Sequence, residues 1–161
     1  MNAFKFLLPG RVAPFSRYSW PVGEWVESGE RAACNAGVHA CEADDLPFWL
    51  MEELWEIELA GSLTRGRHKI VAERGRLVRR IDSWDDAARE QFREACVTRV
   101  RELAVRRAEA AGYLDDLSNW TPYVTPVAIA SLAARAFEAV EGADGYNAER
   151  AAQTAWLVDR L

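Results

Sequence analysis

Within residues 54–59, apolar Trp55, Ile57 and Leu59 alternate with charged Glu56 and Glu58. A period of two belongs to a strand with one buried face, because successive side chains leave a pleated backbone on opposite sides. Comparable short runs surround it. Ala3–Leu7 is stopped by Pro9-Gly10, Glu24–Glu27 follows Pro21 and Gly23, and Val38–Cys41 forms a third short strand. His68–Ala72 and Arg76–Ile81 complete a predicted meander, with Glu73-Arg74-Gly75 as its turn. Asp45-Leu46-Pro47-Phe48-Trp49-Leu50 suits a single helical turn capped by Asp44 or Asp45, with Pro47 in its first turn. Strands of this kind normally pair antiparallel.

From Ser83 the apolar spacing lengthens to that of a helix. Ser83 with Asp86 three residues on is a start of capping-box type, Asp85 and Asp86 set negative charge at the positive end of the dipole, and Gly112 is the predicted stop. Phe92, Ala95, Cys96, Val100 and Leu103 then share one face, with Arg93, Arg101 and Arg107 off it. Leu114–Thr125 reads as a connecting loop. Thr125-Pro126 starts a second helix ending at Gly142, and a third runs from Asn147, presenting Ala151, Thr154, Ala155 and Val158 on one side. The expected fold is α+β in a single domain over 1–161: a mostly antiparallel twisted sheet in residues 1–81, which carries the site, and a layer of about three α-helices in residues 82–161.

A chain of 161 residues holds one core without staples. No apolar run approaches the ~20 residues of a membrane helix, so no membrane partner is expected. The N-terminus lacks a charged region leading into a long apolar stretch, which favours a cytoplasmic address, and three cysteines, an odd count, fit reduced thiols. The net charge of −5 sits entirely in the second half: residues 1–81 hold 11 basic and 11 acidic side chains, residues 82–161 hold 9 and 14. Such a chain is a poor general binder of nucleic acid. The local exception is Arg65, Arg67, Lys69, Arg74, Arg76, Arg79 and Arg80, interrupted only by Glu73. That pattern fits an anion-binding stretch or alternating charges on an exposed sheet face.

The chemistry concentrates in "CNAGVHACEADDL", residues 34–46. On a strand, Gly37, His39 and Cys41 share one face and Val38 and Ala40 the other. Cys34, His39 and Cys41 offer soft ligands suited to zinc, needing a fourth from His68, Glu42 or Asp44. A cysteine nucleophile is disfavoured, because Glu42, Asp44 and Asp45 would raise a thiol pKa. Acid–base chemistry asks least: His39 exchanges a proton near neutral pH, oriented or complemented by Glu56 or Glu58 on a neighbouring strand. Arg17 is then a candidate for an anionic group, and Tyr18, Trp20, Trp25 and Trp49 for the pocket walls.

Phe4-Lys5-Phe6, "CNAGVHACEADDL", "LWEIELAG" and "HKIVAERGRLVRRI", in that order, resemble an uncharacterised bacterial and phage domain. Its core is Cys-x-x-Gly-x-His-x-Cys-Glu, followed by a Val/Ile-Glu-Leu-x-Gly strand and a Lys-Ile-Val/Ala strand. The resemblance spans about residues 3–81 and implies a module rather than an activity. A fainter likeness to ADP-ribosyltransferase-like folds rests on the succession of Gly-hydrophobic strand, short helix and Val-Glu-hydrophobic strand. It implies NAD, but His-Gly-Thr and Arg…Ser-Thr-Ser elements are missing and no NAD-binding residue carries over. The leading expectation is a small-molecule enzyme running an isomerisation, cyclisation, elimination or hydrolysis without metal or cofactor; zinc and NAD are the alternatives. The rival is a non-catalytic interaction or immunity-type module docking through the acidic helical half. Oligomeric state is not readable from the chain.

Overall fold

The alternation at 54–59 is realised in a long strand whose apolar side chains are buried and whose glutamates lie on the other face. A computed structural model of the chain describes residues 1–27, 37–120 and 124–161, with the backbone alone at position 120. The first strands are β1 (Asn2–Leu7), β2 (Val26–Glu27) and β3 (Val38–Ala40). A short 3-10 helix (Ala43–Phe48) follows, then β4 (Glu53–Gly66) and β5 (Lys69–Arg80). All pair antiparallel in the order β1-β4-β5-β2, with β3 also on β5. Phe4 and Cys41 exchange two backbone hydrogen bonds of 2.9 Å, so the chain leaving β3 returns to β1. The core includes Leu7, Trp20, Val38, Ile57, Leu59, Ile70 and Leu77.

Two local expectations are corrected. Glu73-Arg74-Gly75 is no turn: β5 runs through it unbroken. Gly75 is there for close packing, since a Cβ at that position would lie 2.7 Å from Val38 Cγ1 and 3.0 Å from Ile57 Cδ1. The reversal falls instead at Arg67-His68, between the paired Gly66 and Lys69, with His68 at φ 59°. Neither Asp44 nor Asp45 caps the 3-10 helix; Glu42 occupies that position and makes no side-chain cap bond. Glu42 accepts from Arg65 and Asp45 is paired with His68, so tertiary partners have claimed the carboxylates.

The chain divides into two compact units, Met1–Asp85 and Asp86–Leu161. The first helix, α1 (Asp86–Arg106), starts later than a cap at Ser83 would place it. Trp84 belongs to the first unit: its indole donates to Met51 O at 2.8 Å and its ring meets Phe6 edge-on at 6.0 Å. On α1, Phe92, Cys96, Val97, Val100 and Leu103 are buried, while Ala95 is half-buried. Gly112 does not end this helix. The chain passes through a 3-10 turn (Ala108–Ala110) into α2 (Ala111–Trp120), so much of the expected 114–125 loop is helical. Ala110 and Leu117, seven residues apart, are the buried contacts that hold it so.

Thr125 caps α3 (Pro126–Val158) as expected, its hydroxyl accepting from Ala128 N at 3.4 Å. Gly142, at φ 72° and ψ −158°, breaks α3 into two arms, and the second is helical from 143, before Asn147. Its buried face is Gly145, Glu149, Arg150, Gln153 and Leu157; Ala151, Ala155 and Val158 are exposed and Thr154 half-buried. Polar partners explain the reversal. Arg99 forks onto Glu149 at 2.8 and 2.9 Å, Gln153 donates to Glu149 at 2.7 Å and to Ala130 O at 2.9 Å, and Arg150 donates to Gln153 at 3.0 Å. The architecture is α+β, an antiparallel sheet followed by helices. Among the described residues no helix is long and apolar enough to cross a membrane.

Candidate functional site

His39 reaches its place through strand alternation. Val38 and Ala40 turn into the core, which leaves His39 on the opposite face of β3, across from Val71 of β5. Gly37 makes the approach possible: at φ 121°, a Cβ would lie 2.6 Å from Val71 Cγ1 and 2.8 Å from Ala72 O. His39 lines a largely apolar cavity together with Lys5, Lys69, Phe15, Trp49 and Met51. Lys5, from β1, donates to His39 O at 2.6 Å and lies 4.7 Å from the centroid of the Trp20 ring. Lys69 opens β5, and Trp49 follows the 3-10 helix, its indole donating to His68 O.

Phe15 comes from the loop between β1 and β2, and buried Glu53 anchors that loop. Its carboxylate accepts from Gly10 N at 2.9 Å, Arg11 N at 3.3 Å and the Trp55 indole at 2.9 Å. Burial pushes the Glu53 pKa up, but these three donors and the Arg80 charge outweigh it, so the carboxyl sits below its ordinary value. The cavity rim is therefore tied to β4 by an ionised side chain.

Burial, followed by the Lys69 and Lys5 ammoniums, holds the His39 pKa below its ordinary value. A neutral imidazole results at pH 7. Its Nε2 is excluded from solvent and has no hydrogen-bond partner among the described residues. Cys41 is buried with its thiol pushed up to about 12, first by burial and then by Asp45, against the opposing pull of Lys5. It is no nucleophile at neutral pH.

The expected carboxylate partners stand elsewhere. Both edges of β4 are taken, by β1 and β5, while β3 uses the far edge of β5. His39 is thus not on a strand adjacent to Glu56 and Glu58. Those glutamates pair across strands with Arg79 and Arg76 and border a different pocket. Of the expected wall residues only Trp49 lines the His39 cavity. Arg17 is exposed at a turn with φ 59°. Tyr18 packs edge-on against buried Trp20 at 5.8 Å, and Trp25 has Arg74 and Arg76 each 4.9 Å from its ring centroid.

The basic stretch is mostly a cross-strand ladder: Arg65, Arg74, Arg76, Arg79 and Arg80 all have carboxylate partners. Cys34 lies outside the described residues, so the Cys34, His39 and Cys41 ligand set cannot be assembled from them. Among the described residues no group of three or more His, Cys, Asp and Glu side chains is placed to hold a metal ion. His68 pairs through Nδ1 with Asp45 at 2.9 Å and stacks on Phe48 at 3.6 Å between ring centroids. Sequence reasoning missed Lys5, Phe15, Met51 and Lys69 as wall residues. The one available signal was Lys5 itself, a charge set between Phe4 and Phe6 in an apolar strand.

Residues 1–89, just over half of the chain, match the family model of a domain of unknown function, DUF7666. The chain belongs to this family. The DUF7666 match covers all five strands and every residue of the His39 cavity, and it ends within the first turns of α1. Comparison with curated proteins and with solved structures finds no match.

Proposed function

We propose that the DUF7666 unit binds a small organic molecule in the His39 cavity and exchanges a proton with it through the imidazole. The observation that carries this reading is His39, a lining residue of an apolar cavity whose Nε2 is buried and has no partner among the described residues. Such an atom costs about 1–3 kcal/mol of lost solvation, and a bound ligand would return the missing hydrogen bond. A neutral imidazole is also the form that accepts a proton. The chemistry that fits is cofactor-independent acid–base catalysis of an isomerisation, cyclisation, elimination or hydrolysis, with His39 as its one proton acceptor. Glu56 and Glu58, held by arginines away from the cavity, have no part in it.

The test is a fragment screen read in two-dimensional amide and imidazole NMR spectra. Binding should shift the Ala40 and Lys69 amides, the Trp49 indole and the His39 ring together. Fragments that bind while leaving all four signals in place would remove the site.

A further inference from the structure

The charge of the ligand follows from what surrounds His39. We propose that the cavity takes a small apolar organic anion, a carboxylate or similar oxyanion on an aromatic or aliphatic body, with Lys69 as its counter-ion. The inference rests on the small-molecule reading above and names its ligand class.

Three observations carry it. First, among the described residues Lys69 pairs with no carboxylate, although Arg65, Arg74, Arg76, Arg79 and Arg80 in the same hairpin all do. Second, the nearby acids are engaged elsewhere: Glu42 accepts from Arg65 and Asp45 is paired with His68. Among the described residues the charges acting on His39 are those of Lys69 and Lys5. Lys5 is bound to His39 O and the Trp20 face, which leaves Lys69 as the ammonium to meet a ligand. Third, the remaining wall is largely apolar, with Phe6, Ala13, Trp49 and Met51, and Phe15 stands 77% exposed at the same cavity. A large aromatic ring left in water beside an apolar cavity gains its burial when a ligand arrives. The ligand's apolar body would lie against Phe15 and Trp49 and its oxyanion toward Lys69, and a substrate that carries a further O–H, N–H or acidic C–H would present it to His39 Nε2. Charge-assisted bonds of this kind are stronger than neutral ones and strengthen further with partial burial.

Benzoate, benzyl alcohol and benzylamine are close in shape and differ in charge, and their binding to the full chain can be followed through the Lys69 amide and Trp49 indole. Benzoate should bind about tenfold more tightly than benzylamine, with benzyl alcohol between them. Lys69→Met should abolish that preference while retaining benzyl alcohol binding, and Lys69→Arg should restore it. Equal or tighter binding of benzylamine overturns the anion assignment, a benzoate preference that survives Lys69→Met overturns Lys69 as the counter-ion, and either leaves the cavity reading standing. If none of the three shifts the cavity signals, both readings fall.

Discussion

Two buried polar groups, one in each unit, are handled in opposite ways. In the helical unit Glu149 is 2% exposed and Gln153 fully buried, and each is answered by other side chains: Arg99, Arg150, Ser131 and the Ala130 carbonyl complete one bonded cluster. In the DUF7666 unit His39 Nε2 is buried with nothing among the described residues to answer it. A saturated cluster has no capacity left for a ligand and serves the fold. An unsaturated atom beside a cavity weakens the fold and leaves a valence for something else.

If that contrast is right, the largest effect belongs to the saturated cluster. Glu149→Leu leaves half-buried Arg99 and buried Gln153 without that acceptor and should lower stability by about 3 kcal/mol, measured by urea unfolding. Adding Arg99→Leu should recover much of the loss. A neutral single variant would show that the cluster does not hold the helices.

Next comes Glu53, which ties the cavity rim to β4. Glu53→Gln should cost about 2 kcal/mol and weaken benzoate binding by loosening the Phe15 loop. The folded pKa is depressed, so this stabilisation is fully present above the unfolded value of 4.5 and is lost as pH falls through the lower folded value. Wild-type unfolding free energy should therefore fall below pH 4.5, with a shallower slope in Glu53→Gln; parallel slopes would refute the assignment.

His39 should behave unlike either. Replacing an unanswered buried atom by an apolar one is close to neutral, so His39→Leu should change stability by no more than about 1 kcal/mol while ending the ligand response. The His39 pKa is also depressed in the fold, so protonation favours unfolding and the variant should gain relative to wild type as pH falls below 6.5. A large loss of stability would mean that the imidazole is a structural part.

The smallest effects belong to the exposed ladder. Glu56→Gln and Glu58→Gln should each cost less than about 1 kcal/mol and leave benzoate affinity unchanged. A tenfold loss of affinity in either would return those carboxylates to the site.

Trp55, Ile57 and Leu59 made β4 legible because a half-buried strand writes its two faces into alternate positions. His39 was legible for the same reason: Val38 and Ala40 flank it with residues that want the core. Gly75 misled because a glycine needed for close packing and a glycine needed for a turn look alike in sequence; Val38 and Ile57, far away in the chain, decide between them. The last helix misled because Ala151, Ala155 and Val158 form an apolar stripe, yet Arg99 on α1 drew Glu149 and Gln153 inward instead.

By itself, then, the sequence determined the strand and helix halves, the Thr125-Pro126 cap, the break at Gly142 and the face of the strand that presents His39. Each is a local consequence of side-chain period or backbone freedom. Which groups meet His39 was decided only by strand pairing. β5 lies between β3 and β4, which parts the imidazole from Glu56 and Glu58 and delivers Lys69 to its cavity, while the turn of chain after β3 brings Lys5. Pairing of this kind depends on contacts between residues distant in the chain, and no local pattern records it.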